Sequence, residues 1–188
     1  MAIPEAAYQM LTGDDEGRVC RDIPESACNH QPGNFLRHVV SLSATKTGDG
    51  LADPKLVLSW LLVTLGAPAG LVGLLVPIRE AGALVPQLLT AGAIRALPRR
   101  KYAWALGSVV QGLAVLGMAA AAVRLEGAAA GWTVLALLLL FALARSVCSV
   151  SYKDVLGKTV SKATRGSATG AASSLSAALV LLFGLLLA

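Results

Sequence analysis

From Leu56 to Val76 the chain runs for about twenty residues without a charge. That is the length needed to cross the hydrocarbon core of a bilayer. Away from water every backbone N–H and C=O must bond internally, which leaves a helix or a closed barrel. A second apolar run, Glu80 to Leu97, follows almost at once, and then a basic loop, Arg95-Ala-Leu-Pro-Arg99-Arg100-Lys101. The pattern predicts a helical hairpin in a membrane, with a tight charged turn at Arg79-Glu80 and a return to a positive loop.

The rest of the chain repeats the pattern. Further apolar runs cover 102–123, 129–150 and 168–188. With 56–76 and 80–97 they predict an all-α, polytopic transmembrane bundle of about five spans, occupying 55–188. Only 14% of the 188 residues are charged and 55% are hydrophobic, whereas a soluble domain carries about 25% charged residues. Residues 1–54 read as a polar cytoplasmic leader with short amphipathic segments. The run Phe35 to Leu42 is too brief to span and is expected at the membrane surface or against the bundle. Asp53 is the expected N-cap of the first span, with Pro54 at its first helical position. The leader has no apolar signal-peptide core, so insertion is expected through the first internal span.

Basic residues set the orientation. Thirteen fall on one side: Arg18, Arg21, Arg37, Lys46 and Lys55 in the leader, Arg95, Arg99, Arg100 and Lys101 in the second loop, and Lys153, Lys158, Lys162 and Arg165 in the fourth. Only Arg79 and Arg124 fall on the other. Positive residues stay inside, so the N-terminus is expected in the cytoplasm and the protein in the cell (inner) membrane. Topology also explains the net charge of +5, so no nucleic-acid partner is expected. Cys20 and Cys28 lack zinc-finger spacing and read as reduced cytosolic thiols, so no metal or cofactor is expected. Cys148 reads as a small hydrophobe within a span.

Chemistry-bearing groups inside the spans are few. Both histidines, His30 and His38, lie in the leader, and no acidic residue lies deep in an expected span. No nucleophile–base pair is recognisable, so the chain is not expected to be an enzyme. Gln87, Gln111 and Arg145 remain as candidates to line a substrate path or couple an ion. For the two glutamines the other reading is an interhelical hydrogen bond joining their spans. For Arg145 it is snorkelling toward the cytoplasmic end of its span. Gly66 and Gly70 form a small-xxx-small pair around Pro68, which suits close helix packing or a hinge.

The stretch Gly92-Ala93-Ile94-Arg95-Ala96-Leu97-Pro98-Arg99-Arg100-Lys101 resembles the second-loop signature of the major facilitator superfamily, G-x-x-x-D-[RK]-x-G-[RK]-[RK]. Gly92, Arg100 and Lys101 match it. Ala96 stands at the acidic position and Arg99 at the second glycine, so the aspartate's charge-relay role does not carry over. Arg145 stands where proton-coupled members place the arginine of R-x-x-Q-G in helix 4, but Cys148 and Ser149 replace the glutamine and glycine. Span 5 lacks the Gly-Pro of antiporters. The layout of spans and loops over about residues 50–188 is also similar.

This resemblance implies a secondary transporter of twelve helices built as two halves, working by alternating access. The chain would supply about five helices of the N-terminal half. It is then expected to be incomplete alone, as a truncated gene product or a small protein that self-associates or needs the missing C-terminal half. Its partners would be the lipid bilayer and a small-molecule substrate of unknown identity. The alternative is a small non-catalytic membrane scaffold or accessory subunit whose leader binds a partner.

Overall fold

The computed structural model describes residues 3–13, 22–96 and 100–187. Every regular element among them is a helix: α1 Ile3–Thr12, α2 Glu25–Cys28, α3 Gln31–Leu51, α4 Val57–Thr64, α5 Ala69–Ala96, α6 Arg100–Arg124, α7 Gly127–Thr159 and α8 Lys162–Leu187. Three of them, α6, α7 and α8, are long and apolar enough to cross a membrane. The expected spans 102–123 and 129–150 lie on α6 and α7, and the expected span 168–188 lies on α8 up to Leu187, Ala188 being outside the described residues. The chain divides into two compact units, residues 52–152 and residues 1–51 with 153–188.

In the unit of residues 52–152 the first helix begins later than expected: α4 starts at Val57, with Leu56 at its N-cap, and Pro54 lies in the turn before it. Asp53 Oδ1 accepts from the backbone N–H groups of Lys55 and Leu56, both at 2.9 Å. Its carbonyl accepts from Val57 and Leu58. Asp53 thus caps the turn that leads into α4.

The expected hairpin, however, turns elsewhere. Helix α4 lasts eight residues and stops at Gly66, whose φ is +71°. Gly66 N–H donates to Val63 O at 3.0 Å and Ala67 N–H to Leu62 O at 2.9 Å, a Schellman close. Pro68 then opens α5, its carbonyl accepting from Leu71 and Val72. No turn forms at Arg79-Glu80: α5 runs straight through both residues, and through Pro77 and Pro86. The expected boundaries 56–76 and 80–97 are corrected accordingly. Arginine and glutamate are good helix formers, whereas only glycine takes the left-handed turn conformation at no steric cost. Gly66 and Gly70 meet no neighbour within 4 Å, so Gly66 serves the turn and not a packing face.

Close approaches give the directions. A Cβ at Gly131 would meet Leu71 Cδ1 at 2.6 Å and one at Gly82 would meet Ala142 Cβ at 2.9 Å, so α5 and α7 run parallel. A Cβ at Gly107 would meet Cys148 Sγ at 2.6 Å and one at Gly117 would meet Leu137 Cδ1 at 3.1 Å, so α6 and α7 run antiparallel. Leu62, Leu75, Met118, Val134 and Leu138, from all four helices, share one buried cluster. The turn after α6 sits against the turn after α4: Gly127 N–H donates to Leu65 O at 2.7 Å.

In the other unit the leader does not stand apart. Helix α3 packs along α8, and Gly50 faces Val180 Cγ2, which a Cβ would approach to 2.9 Å. The buried face of α8 carries Thr164, Ala168, Ala172 and Ser176. Small residues every fourth position let a second helix come close. Phe35, Val39 and Leu42 of α3 are buried, so the short apolar run does lie against a helix. Asp22 Oδ2 accepts from Lys162 N–H at 2.7 Å and pairs with Arg165 at 3.0 Å, closing the N-terminus of α8. Asp22→Ala should lower the stability of this unit by about 1 kcal/mol, read as a lower urea midpoint in detergent. Cys28 is disulfide-bonded, which corrects the expectation of a reduced thiol there; Cys20 lies outside the described residues.

Candidate functional site

Arg79, expected at a turn, packs against a neighbouring helix instead, while Glu80 beside it is exposed. Helix α5 places Arg79 about 15 Å from its start at Ala69, and the guanidinium lies 4.7 Å from the centroid of the Phe141 ring. That is a cation–π contact. It puts Arg79 beside the apolar middle of α7, where no residue from Ala128 to Ala144 is charged. Two aromatic levels bracket this depth. Trp132 is exposed near the start of α7. Tyr152, twenty residues on, meets Trp104 of α6 edge-on at 5.6 Å. Twenty helical residues rise about 30 Å, the thickness of a hydrocarbon core. Phe141, with Arg79 against it, stands about midway between these two rings along α7. Arg145 lies one turn further along α7 and is half-buried.

A second polar group joins α6 to α7. Gln111 is buried on α6, and its Nε2 donates to Cys148 Sγ at 3.0 Å and to Gly107 O at 3.3 Å. The thiol donates in turn to Trp104 O at 3.4 Å. Ser108 Oγ donates to the same carbonyl at 3.0 Å. Gly107 makes this possible, because only a residue without Cβ lets Cys148 sit against α6. The fully buried hydroxyls of Ser146 and Ser151 have no hydrogen-bond partner among the described residues. Buried hydroxyls of this kind mark positions where water or a solute would be accommodated.

The candidates read from sequence therefore separate. Gln111 is built into the α6–α7 seam. Gln87 is half-buried on α5, and no hydrogen bond joins it to Gln111, whose amide is directed at Gly107 and Cys148. Arg145 lies on α7, at a depth between Phe141 and Cys148. In the second-loop motif, Gly92 is exposed on α5 and meets no neighbour within 4 Å. Arg99 lies outside the described residues. Arg100 and Lys101 open α6, and the Lys101 ammonium lies 5.4 Å from the Tyr102 ring centroid. Pro68 is exposed in the turn before α5.

Sequence reading missed Arg79, Phe141 and Cys148. The first was assigned to a turn, and the others looked like ordinary apolar residues. Among the described residues no group of three His, Cys, Asp or Glu side chains could hold a metal ion. No protein-family model, curated protein or solved structure matches the chain.

Proposed function

We propose that the chain is the N-terminal part of a secondary transporter of the major facilitator type. It would move a small solute by alternating access once further helices complete the bundle. The observation that carries this reading is polar and charged groups within an apolar bundle: Arg79 of α5 against Phe141 of α7, with Arg145 on α7 and Gln111 on α6. Ionisable groups in such a setting are costly in lipid and mark solute or ion paths. The accessory-subunit reading draws less support, because Phe35, Val39 and Leu42 of the leader are already buried.

A thermal-shift screen of the purified chain in detergent, against sugars, amino acids, nucleosides and organic acids, tests the reading. The supporting result is a solute that stabilises the wild type and not Gln111→Ala or Arg145→Gln. A screen in which every solute acts equally on all three proteins would defeat it. In proteoliposomes the chain alone should show no saturable uptake, and saturable uptake would overturn the need for further helices.

The charge bias places the turns at Gly66 and Glu126 outside and the basic loops inside. A disulfide at Cys28 points the other way, since such bonds are rare in the cytosol. The charges of three separate segments outweigh one bond. In intact cells a membrane-impermeant maleimide should label Glu126→Cys, and should label Lys158→Cys only after permeabilisation. The opposite pattern would reverse the orientation.

A further inference from the structure

We infer that α3 lies inside the bilayer beside α8, with its Val40–Ala44 face against lipid acyl chains, and that Lys46 and Asp49 form a hydrated polar site at membrane depth. This rests on α8 being a membrane span.

The register between the two helices carries the inference. Gln31 Nε2 reaches Ser161 Oγ at 3.2 Å, Ser43 Oγ reaches Ala172 O at 3.4 Å, and Lys46 Nζ reaches Ser173 Oγ at 2.6 Å. Gly50 lies on Val180. The offset stays near 130 residues throughout, so the helices are parallel and α3 follows α8 from its start to Val180. Arg165 is the last charge on α8. Ser173 lies about 12 Å beyond it along the axis, and Val180 about 22 Å. A helix in contact at those levels shares the depth of α8. The far end of α8 exposes Leu181, Leu182, Phe183, Leu185 and Leu186, a face that suits acyl chains.

The surface of α3 agrees. Its last exposed charge before the apolar depth is Arg37, near the start. Beyond it the side turned away from α8 carries Val40 and Ala44, both exposed, and neither has a polar side chain. Length suffices, since 21 residues rise about 31 Å. The short apolar run from Phe35 looked insufficient because serine, threonine and glycine follow it. Those residues bond within the helix instead: Ser43, Thr45 and Thr47 hydroxyls each donate to the carbonyl four residues back.

Lys46 and Asp49 are one turn apart on α3 and both half-buried. Charges at membrane depth face a wet cavity or another protein surface. Lys46 donates to Ser173 at an exposed contact, and the occupant we assign to that side is water. Lys46 then leaves the count of cytoplasmic basic residues.

Single cysteines test this in proteoliposomes, in a chain carrying Cys20→Ser, Cys28→Ser and Cys148→Ala and checked for monodispersity by gel filtration. Met10→Cys is the water-exposed reference. A bulky impermeant maleimide should label Met10→Cys and leave Ala44→Cys and Leu182→Cys unlabelled until detergent and denaturant are added. A small charged methanethiosulfonate should modify Lys46→Cys at least ten times faster than Ala44→Cys. Rapid maleimide labelling of Ala44→Cys with Leu182→Cys protected would place α3 in water and overturn the inference. Labelling of Leu182→Cys would remove α8 from the membrane and sink the reading beneath it. Equal protection of Lys46→Cys and Ala44→Cys from the small reagent would overturn the hydrated site.

Discussion

Gly107→Val is expected to separate α6 from α7 and to leave little folded protein in detergent. A Cβ at this position would stand 2.6 Å from Cys148 Sγ and 3.2 Å from Ala144 O. The carbonyl belongs to helix backbone and cannot step aside, and the thiol is tied by Gln111 and by Trp104 O. Filling a packed position of this kind costs about 1–3 kcal/mol, and valine adds two more methyl groups where one already clashes. Alanine is the informative control. It gains up to about 1 kcal/mol of helix propensity over glycine, so Gly107→Ala should be milder than Gly107→Val. The measurement is the melting temperature by fluorescence-detected gel filtration. Cys148→Gly should recover part of the loss caused by Gly107→Ala, since it removes the sulfur that collides. A Gly107→Val protein that melts with the wild type would mean that the helices do not approach at this point.

Gln31→Leu should loosen the leader without touching the unit of residues 52–152. The amide Nε2 is fully buried and faces three hydroxyl oxygens: Tyr8 Oη at 2.7 Å, Ser161 Oγ at 3.2 Å and Thr164 Oγ1 at 3.4 Å. It has two protons for the three, so the longer contacts share one. Leucine is similar in size but cannot donate. The buried hydroxyls then lose their shared donor, at about 1–3 kcal/mol. Tyr8 also meets Phe35 edge-on at 5.2 Å, so α1 should still touch α3 but dissociate more often. Hydrogen exchange should accelerate over residues 3–12 and 161–168, with no change over α5 and α6. Faster exchange across both units would show that they unfold together.

These two sites also mark how far the sequence could be read. That α6, α7 and α8 are helices long and apolar enough to cross a membrane was legible because it rests on local quantities, run length and the absence of charge. The bonding of Asp53 to the turn before α4 was legible because it is local to its own chain, but the helix itself starts at Val57 rather than Pro54. The second-loop resemblance rested on Gly92, Arg100 and Lys101, and Gly92 meets no neighbour within 4 Å that could strengthen or weaken it. The turn at Arg79-Glu80 was misread because a charged pair was taken for a chain reversal, whereas α5 continues through both. In a bundle, an arginine can lie at depth if an aromatic ring such as Phe141 receives it, and that ring is 62 residues away. Gln87 and Gln111 were paired by similar depth on neighbouring helices. Depth does not say which way a side chain faces, and Gln111 faces α7.

By itself, the sequence determined that this chain is helical and has the lengths, apolar runs and charge placement of a membrane protein. Each of those properties belongs to a segment taken alone, because a helix bonds its own backbone and a bilayer selects for length. Tertiary structure decided where the first hairpin turns, that Cys148 rather than Gln87 receives the Gln111 amide, and that the leader runs along α8. Those depend on which faces meet, and the faces are chosen by gaps such as Gly107 and the Ala168–Ala172 groove, whose partners lie tens to more than a hundred residues away.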